Sequence, residues 1–68
     1  MAKYILIDTF EGEICTYYFD NLDDAKVKLR EEFDDLYGVE YDEIAKDGMS
    51  AWARTRGGVS GWLIEQIA

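Results

Sequence analysis

The chain has no histidine and a single cysteine, Cys15, among its 68 residues. Without histidine there is no imidazole base, which excludes the usual Ser-His-Asp and Cys-His arrangements of hydrolases. The ligands of an ordinary zinc site are missing for the same reason. An internal disulfide is impossible, and a lone cysteine favours a reducing compartment. We therefore expect a cytoplasmic protein that is not an enzyme and uses no metal or other cofactor.

Basic residues are also scarce. Seven Lys and Arg residues stand against fifteen Asp and Glu residues, giving a net charge of −8. Nucleic acid and anionic membranes would repel such a chain, so direct binding to either is not expected. No apolar run approaches the roughly 20 residues that a membrane-spanning helix needs, and the N-terminus lacks a signal-peptide pattern. The simplest role of the acidic charge is to keep a small protein dispersed.

Apolar residues make up 49% of the chain and aromatic residues 15%, which indicates a folded domain rather than an acidic disordered tail. We expect residues 1–68 to form a single small α+β domain. A core of this size rarely supplies more than about 3–5 kcal/mol, and a partner subunit is one common way of adding to it. The composition therefore already favours association.

The strongest periodic pattern covers residues 21–38. Its apolar residues recur at intervals of three and four, which predicts one amphipathic helix. Asn21 can cap the first turn, and Gly38 can adopt the left-handed conformation that ends a helix. The apolar stripe consists of Leu22, Ala25, Leu29, Phe33, Leu36 and Tyr37.

Two strand pairs flank this helix. Residues 2–9 and 13–19 form the first hairpin, with Gly12 in its turn, and residues 50–56 and 59–67 form the second, around Gly57-Gly58. Residues 39–49 are interpreted as an acidic connector. The predicted fold is α+β in the order β-β-α-β-β, with one four-stranded antiparallel sheet and a single amphipathic helix on one face.

Strand alternation assigns residues to the two faces of this sheet. A two-residue loop at Glu11-Gly12 places Ile5, Ile7, Ile14 and Tyr18 on one face and Tyr4, Leu6, Cys15, Tyr17 and Phe19 on the other. A loop at Gly57-Gly58 pairs Trp52 with Leu63 and Ala53 with Trp62. One side of the second hairpin then carries no charge, and we expect it to meet the helix. It consists of Ala51, Ala53, Thr55, Ser60, Trp62 and Ile64.

No acid–base pair is expected. Adjacent carboxylates on a helix, such as Asp34 and Asp35, point in different directions and do not share a proton. Cys15 lies mid-strand opposite Asp8, whose carboxylate would raise the pKa of the thiol, so we interpret it as a small packing residue.

The remaining sheet face has no second helix to cover it and is the first candidate site. Tryptophan and arginine are over-represented at the centres of protein interfaces. Alternatively, the arginine stems lie over Trp52 as a cation–π cover. A homodimer that buries two such faces is the economical prediction. The predicted interface residues are Trp52, Arg54, Arg56, Leu63, Tyr17 and Phe19.

Acidic residues concentrated in residues 20–47 are the second candidate site. Carboxylates spaced along a helix can imitate a phosphate backbone, as in phage or mobile-element inhibitors that bind a basic nucleic-acid-handling protein. Lys26, Lys28 and Arg30 interrupt the run and count against such a mimic. The predicted acidic surface consists of Glu31, Asp34, Asp35, Glu40, Asp42 and Glu43.

Overall fold

A five-stranded antiparallel sheet with one helix across one face accounts for nearly the whole chain. The computed structural model describes every residue from Met1 to Ala68. Across the sheet the strands follow the order β2-β1-β5-β4-β3, and every neighbouring pair is antiparallel. In chain order the elements are β1 (Tyr4–Phe10), β2 (Glu13–Phe19), α1 (Leu22–Asp34), β3 (Val39–Ile44), β4 (Ser50–Thr55) and β5 (Gly58–Gln66).

The α+β class and the single helix are confirmed, but the predicted count of four strands is wrong. The fifth strand is β3, in the segment interpreted as an acidic connector. It pairs with β4, and a bulge interrupts the ladder between Val39 and Tyr41. β3 is an edge strand that is exposed along most of its length, and apolar and polar residues alternate in it only from Val39 to Asp42. This short alternation, which the adjacent acids Asp42 and Glu43 interrupt, was the available strand signal.

The helix begins as predicted and ends earlier. The side chain of Asn21 accepts a 2.9 Å hydrogen bond from the amide three residues later, which caps the first turn. Asp35 ends the helix, so Leu36 and Tyr37 do not continue its apolar stripe. Leu36 still packs against the core, whereas Tyr37 is 91% exposed. Gly38, with φ of 65°, lies in the turn to β3 instead of at the end of the helix.

The first hairpin has the predicted register. Leu6 lies opposite Tyr17 and Ile5 opposite Tyr18. Glu11 and Gly12 both have positive φ, 49° and 84°, as the mirror-image turns of tight hairpins require.

The second hairpin differs from the prediction by two positions. Its turn residues are Arg56 and Gly57, so Trp52 lies opposite Gly61 instead of Leu63, and Ala53 lies opposite Ser60 instead of Trp62. The Thr55 hydroxyl stabilises this turn because it accepts a 3.2 Å bond from the Gly57 N–H and donates a 3.1 Å bond to the Gly58 carbonyl. A shift of two positions leaves every side chain on its predicted face.

The core therefore forms where the uncharged side of β4 and β5 meets the helix, as predicted. Ala25 and Leu29 of the helix are fully buried there, together with Leu6 of β1. Small alanines in the sheet allow the helix to approach closely. Only 9 of 68 residues are buried in all, so the core is small. From β4 and β5 it receives Ala51, Ala53, Thr55, Ser60, Trp62 and Ile64.

Candidate interaction surfaces

Apolar side chains from all five strands meet on the side of the sheet away from the helix, which we call the open face. Ile7 of β1 lies opposite Leu63 of β5, and Trp52 of β4 stands on the same side. Leu63 is 42% exposed and Trp52 is 44% exposed, although both lie on interior strands. The apolar residues of the open face are Ile5, Ile7, Ile14, Tyr18, Tyr41, Trp52, Val59 and Leu63.

Two predicted interface residues, Tyr17 and Phe19, are not on the open face. β1 lies beside β5, and Leu6 pairs there with the buried Ile64, so the side of β1 and β2 that includes Tyr17 and Phe19 faces the helix. Both aromatic side chains pack against the core, and the Lys28 Nζ lies 4.9 Å from the centre of the Tyr17 ring. The prediction was wrong because strand order cannot be read from hairpin alternation.

Besides Tyr41 of β3 and Val59 of β5, the open-face residues missed by the interface prediction are those on the opposite side of the first hairpin. Ile5, Ile7, Ile14 and Tyr18 share the open face, as the predicted register of β1 and β2 already required. The sequence signal that these four residues share one side was their alternation along β1 and β2. Only the pairing of β1 with β5 shows that this side continues the surface of Leu63.

The two predicted arginines differ in position. Arg54 projects from β4 on the open face, and its Nε lies 3.9 Å from Oε1 of Glu40. Arg56 lies in the turn before β5, and the methylene groups of its side chain lie beside Gly38. The cation–π contacts of the chain involve Tyr17 and Phe33, so neither arginine covers Trp52 in this way.

The predicted acidic surface is divided by the fold. Its six residues are all exposed, but Glu43 lies opposite Trp52 on the open face, whereas Asp42 lies opposite Ala53 on the helix side. On the helix, Asp34 already forms a 3.0 Å ion pair with Arg30. The acids therefore do not form the continuous row that a phosphate backbone would require. The residues are Glu31, Asp34, Asp35, Glu40, Asp42 and Glu43.

A carboxyl pair that the sequence did not predict lies between the sheet and the helix. Asp8 of β1 and Glu32 of α1 share a hydrogen bond, although each is acidic. Glu32 also accepts a 3.1 Å bond from the Trp62 Nε1–H, and the Lys28 Nζ lies 3.4 Å from its other oxygen. Because the two acids come from separate elements, sequence spacing gives no signal for this pair.

The two carboxyl groups have opposite pKa changes. Burial, followed by the hydrogen bond and the charge of Glu32, raises the pKa of Asp8 from 3.8 to about 6. Burial also acts to raise the pKa of Glu32, but the bonds from Asp8 and Trp62 and the charge of Lys28 outweigh it, so this pKa is lowered. In weakly acidic solution Asp8 therefore holds the proton and donates it in a hydrogen bond to ionised Glu32.

This carboxyl pair lies apart from the pocket of the fold. The pocket that the fold contains, of about 140 Å³, lies elsewhere, beside Glu43, Ser50 and Trp52. Cys15 lies opposite Asp8 as predicted, but it is exposed and does not pack in the core. The structure brings no group of three or more potential metal ligands together. The pair therefore couples the protonation of Asp8 to the contact between β1 and α1.

Comparisons of the chain with protein-family models, with curated proteins and with solved structures give no match. The helix is too short and too polar to cross a lipid bilayer. The open face carries exposed apolar side chains from β2, β3, β4 and β5, namely Ile14, Tyr18, Tyr41, Trp52, Val59 and Leu63.

Proposed function

We infer that the protein is a non-enzymatic interaction module that forms a homodimer through its open face. The observation that supports this most directly is the lack of any layer over the side chains of Ile7, Trp52 and Leu63. Contiguous apolar patches of this kind mark partner surfaces in soluble proteins. The exposed thiol of Cys15 suits a reducing compartment, so we place the module in the cytoplasm.

The charge distribution favours a second copy as the occupant. On the open face, β1 and β2 carry no charged side chain, and the charged residues Glu43, Arg54 and Glu65 lie on the other strands. The acids of the helix point away from this face. Two copies can therefore meet through their open faces while most of their negative charge stays remote from the contact.

The size of the open face is adequate for a dimer. Five strands about 4.8 Å apart, with about seven residues in each, give a flat footprint on the order of 500 Å². Because the side chains protrude from the sheet, the solvent-accessible area of the open face is larger than this flat footprint and approaches the roughly 800 Å² per partner of a standard interface. Burial there would also supplement a core in which only 9 of 68 residues are buried.

The test compares two matched substitutions by sedimentation equilibrium. Leu63→Glu places a carboxylate in the middle of the proposed contact and should weaken association through the open face by about 100-fold or more. Val27→Glu makes a similar change at a helix residue that is 54% exposed, and it should leave the association unchanged. Wild-type association should persist in molar salt, since apolar burial drives it. If Leu63→Glu and Val27→Glu have equal effects, the open face is not the interface.

The alternative function is a phage or mobile-element inhibitor that captures a basic nucleic-acid-handling protein through its acidic residues. Glu31, Asp34 and Asp35 remain exposed at the end of the helix and would form the contact. This function predicts capture that is lost with rising salt and with the double substitution Asp34→Lys and Asp35→Lys. Both responses distinguish it from association through the open face.

A further inference from the structure

The two edge strands of the sheet are built differently. The β3 edge has a bulge and three acidic residues, Glu40, Asp42 and Glu43, which are the usual protections of a free edge against pairing. The β2 edge has a regular ladder over its whole length, and its sequence from residue 14 to residue 19 contains neither a charge nor a proline. The β2 edge is therefore open to another strand.

The backbone of β2 directs alternate residues toward that edge. The Phe19 carbonyl accepts a 3.0 Å bond from the Lys3 amide, so it points toward β1. Alternate residues of a strand point their N–H and C=O groups to the same side, so Cys15 and Tyr17 are directed inward as well. Ile14, Thr16 and Tyr18 consequently present their N–H and C=O groups outward, where no other segment of the chain pairs with them.

We propose that the β2 edge pairs antiparallel with β2 of a second copy, about a two-fold axis at Thr16. In this register the outward groups of Thr16 face those of Thr16 in the partner subunit, and Ile14 faces the partner's Tyr18. About six backbone hydrogen bonds then form between the copies. The edge is self-complementary in its side chains too, because a Thr–Thr pair and two pairs of an aromatic with a β-branched residue are favourable across strands.

The charges of the helices do not oppose this pairing. The helix contacts β2 as well as β1, β5 and β4. With the helix axis over the middle of these four strands, the two helix axes in the paired sheets lie on the order of 20 Å apart, from the spacing of the strands. That separation exceeds the Debye length of about 8 Å at physiological ionic strength. Glu13, at the end of β2, faces the partner's Phe19, and no like charges are opposed across the edge.

The edge contact does not depend on the proposed contact between open faces. The two-fold axis of the edge contact is perpendicular to the sheet, whereas the two-fold axis that relates two open faces is parallel to the plane of the sheet. If both contacts form and their two-fold axes intersect, the result is a tetramer of dihedral symmetry, whereas axes that do not intersect give an open chain of copies. If only the edge contact forms, the result is a dimer with a ten-stranded sheet. Failure of either contact is therefore distinguishable from failure of the other.

The first experiment removes the outward hydrogen bond donor. Thr16→Pro deletes an N–H that makes no bond within the chain, whereas Asp42→Pro deletes the corresponding outward N–H of the β3 edge. Both are made together with Leu63→Glu, so that association through the open face is suppressed. Leu63→Glu alone should sediment as a dimer. Thr16→Pro should weaken that dimer about 100-fold, since one bond is lost from each copy, and Asp42→Pro should leave it intact.

The second experiment keeps the proposal testable if proline at position 16 prevents folding. In a Cys15→Ser background, Thr16→Cys places two thiols opposite each other with Cα atoms about 5.5 Å apart, which suits a disulfide. Tyr18→Cys in the same background is the control, because its symmetry mates lie too far apart. Oxidation should cross-link the first variant and not the second. Equal cross-linking, a monomeric Leu63→Glu variant, or an edge that binds only extended peptides of other proteins would overturn the proposal.

Discussion

The substitution Asp8→Asn should stabilise the folded chain at neutral pH. Because the pKa of Asp8 is raised from 3.8 to about 6, the folded chain keeps a proton that the unfolded chain has already released between these two values. The contribution of Asp8 to stability is therefore complete below its unfolded pKa and is lost as the pH rises through 6. An amide at this position donates a hydrogen bond to Glu32 at every pH, so the loss should disappear.

The size of the effect follows from the same two values. A difference of about two pKa units corresponds to about 3 kcal/mol as an upper limit. Because the Asp8 carboxyl is only partly buried, solvent screens its interaction with Glu32, and we expect about 1 kcal/mol. For a domain of this size, that corresponds to a rise in Tm of about 4–8 °C at neutral pH.

The assay is urea unfolding at a fixed protein concentration, in steps from about pH 4.5 to about pH 7. This window lies above the range in which the lowered pKa of Glu32 makes stability fall with acid. The wild-type unfolding free energy should decline across the window, and that of Asp8→Asn should not. Asp20→Asn removes the same charge from an exposed site and is the matched control. If Asp8→Asn is no more stable than Asp20→Asn at neutral pH, the assignment of the proton to Asp8 is wrong.

Two further substitutions test the helix and its contact with the sheet. Asn21→Ala removes the acceptor of the 2.9 Å capping bond and should lower the unfolding free energy by about 1 kcal/mol, while Asn21→Asp should retain most of it in the same denaturation assay. Trp62→Phe removes the 3.1 Å bond to Glu32, and the pKa of Glu32, followed by carboxyl NMR titration, should rise toward its usual value. A pKa that does not move would show that this bond contributes little.

The sequence was sufficient for the elements that carry a clear period. The helix stripe, the mirror-image turn at Glu11 and Gly12, and the uncharged side of β4 and β5 were all predicted because each depends only on local spacing. Even a two-position error in the second hairpin left its faces correct, since strand alternation has a period of two. Local patterning thus fixed which residues of each element share a side.

The features that the sequence could not supply depend on pairing between distant segments. The position of β1 beside β5 decides that Leu6 and Tyr17 lie under the helix and that Ile7 joins Leu63 on the open face. The contact of Asp8 with Glu32 depends on how the helix crosses the sheet. Neither the pairing of β1 with β5 nor the contact of Asp8 with Glu32 can be predicted from the spacing of residues along the chain. Trp52, Arg54 and Leu63 consequently share one side of the sheet as their alternation predicted, whereas Tyr17 and Phe19 of β2 lie on the helix side.

The distribution of charge and the distribution of exposed apolar side chains both favour the open face and the β2 edge as the proposed surfaces of association. Two copies with a net charge of −8 each repel, and the repulsion is strongest for charges closer than a Debye length of about 8 Å. A contact through the helix surface or the β3 edge would bring exposed carboxylates such as Asp35 and Asp42 within that distance. The open face and the β2 edge are instead the parts of the surface that combine apolar side chains with few charges. Screening by added salt should therefore favour self-association, whereas it would weaken capture of a basic partner by the acidic residues.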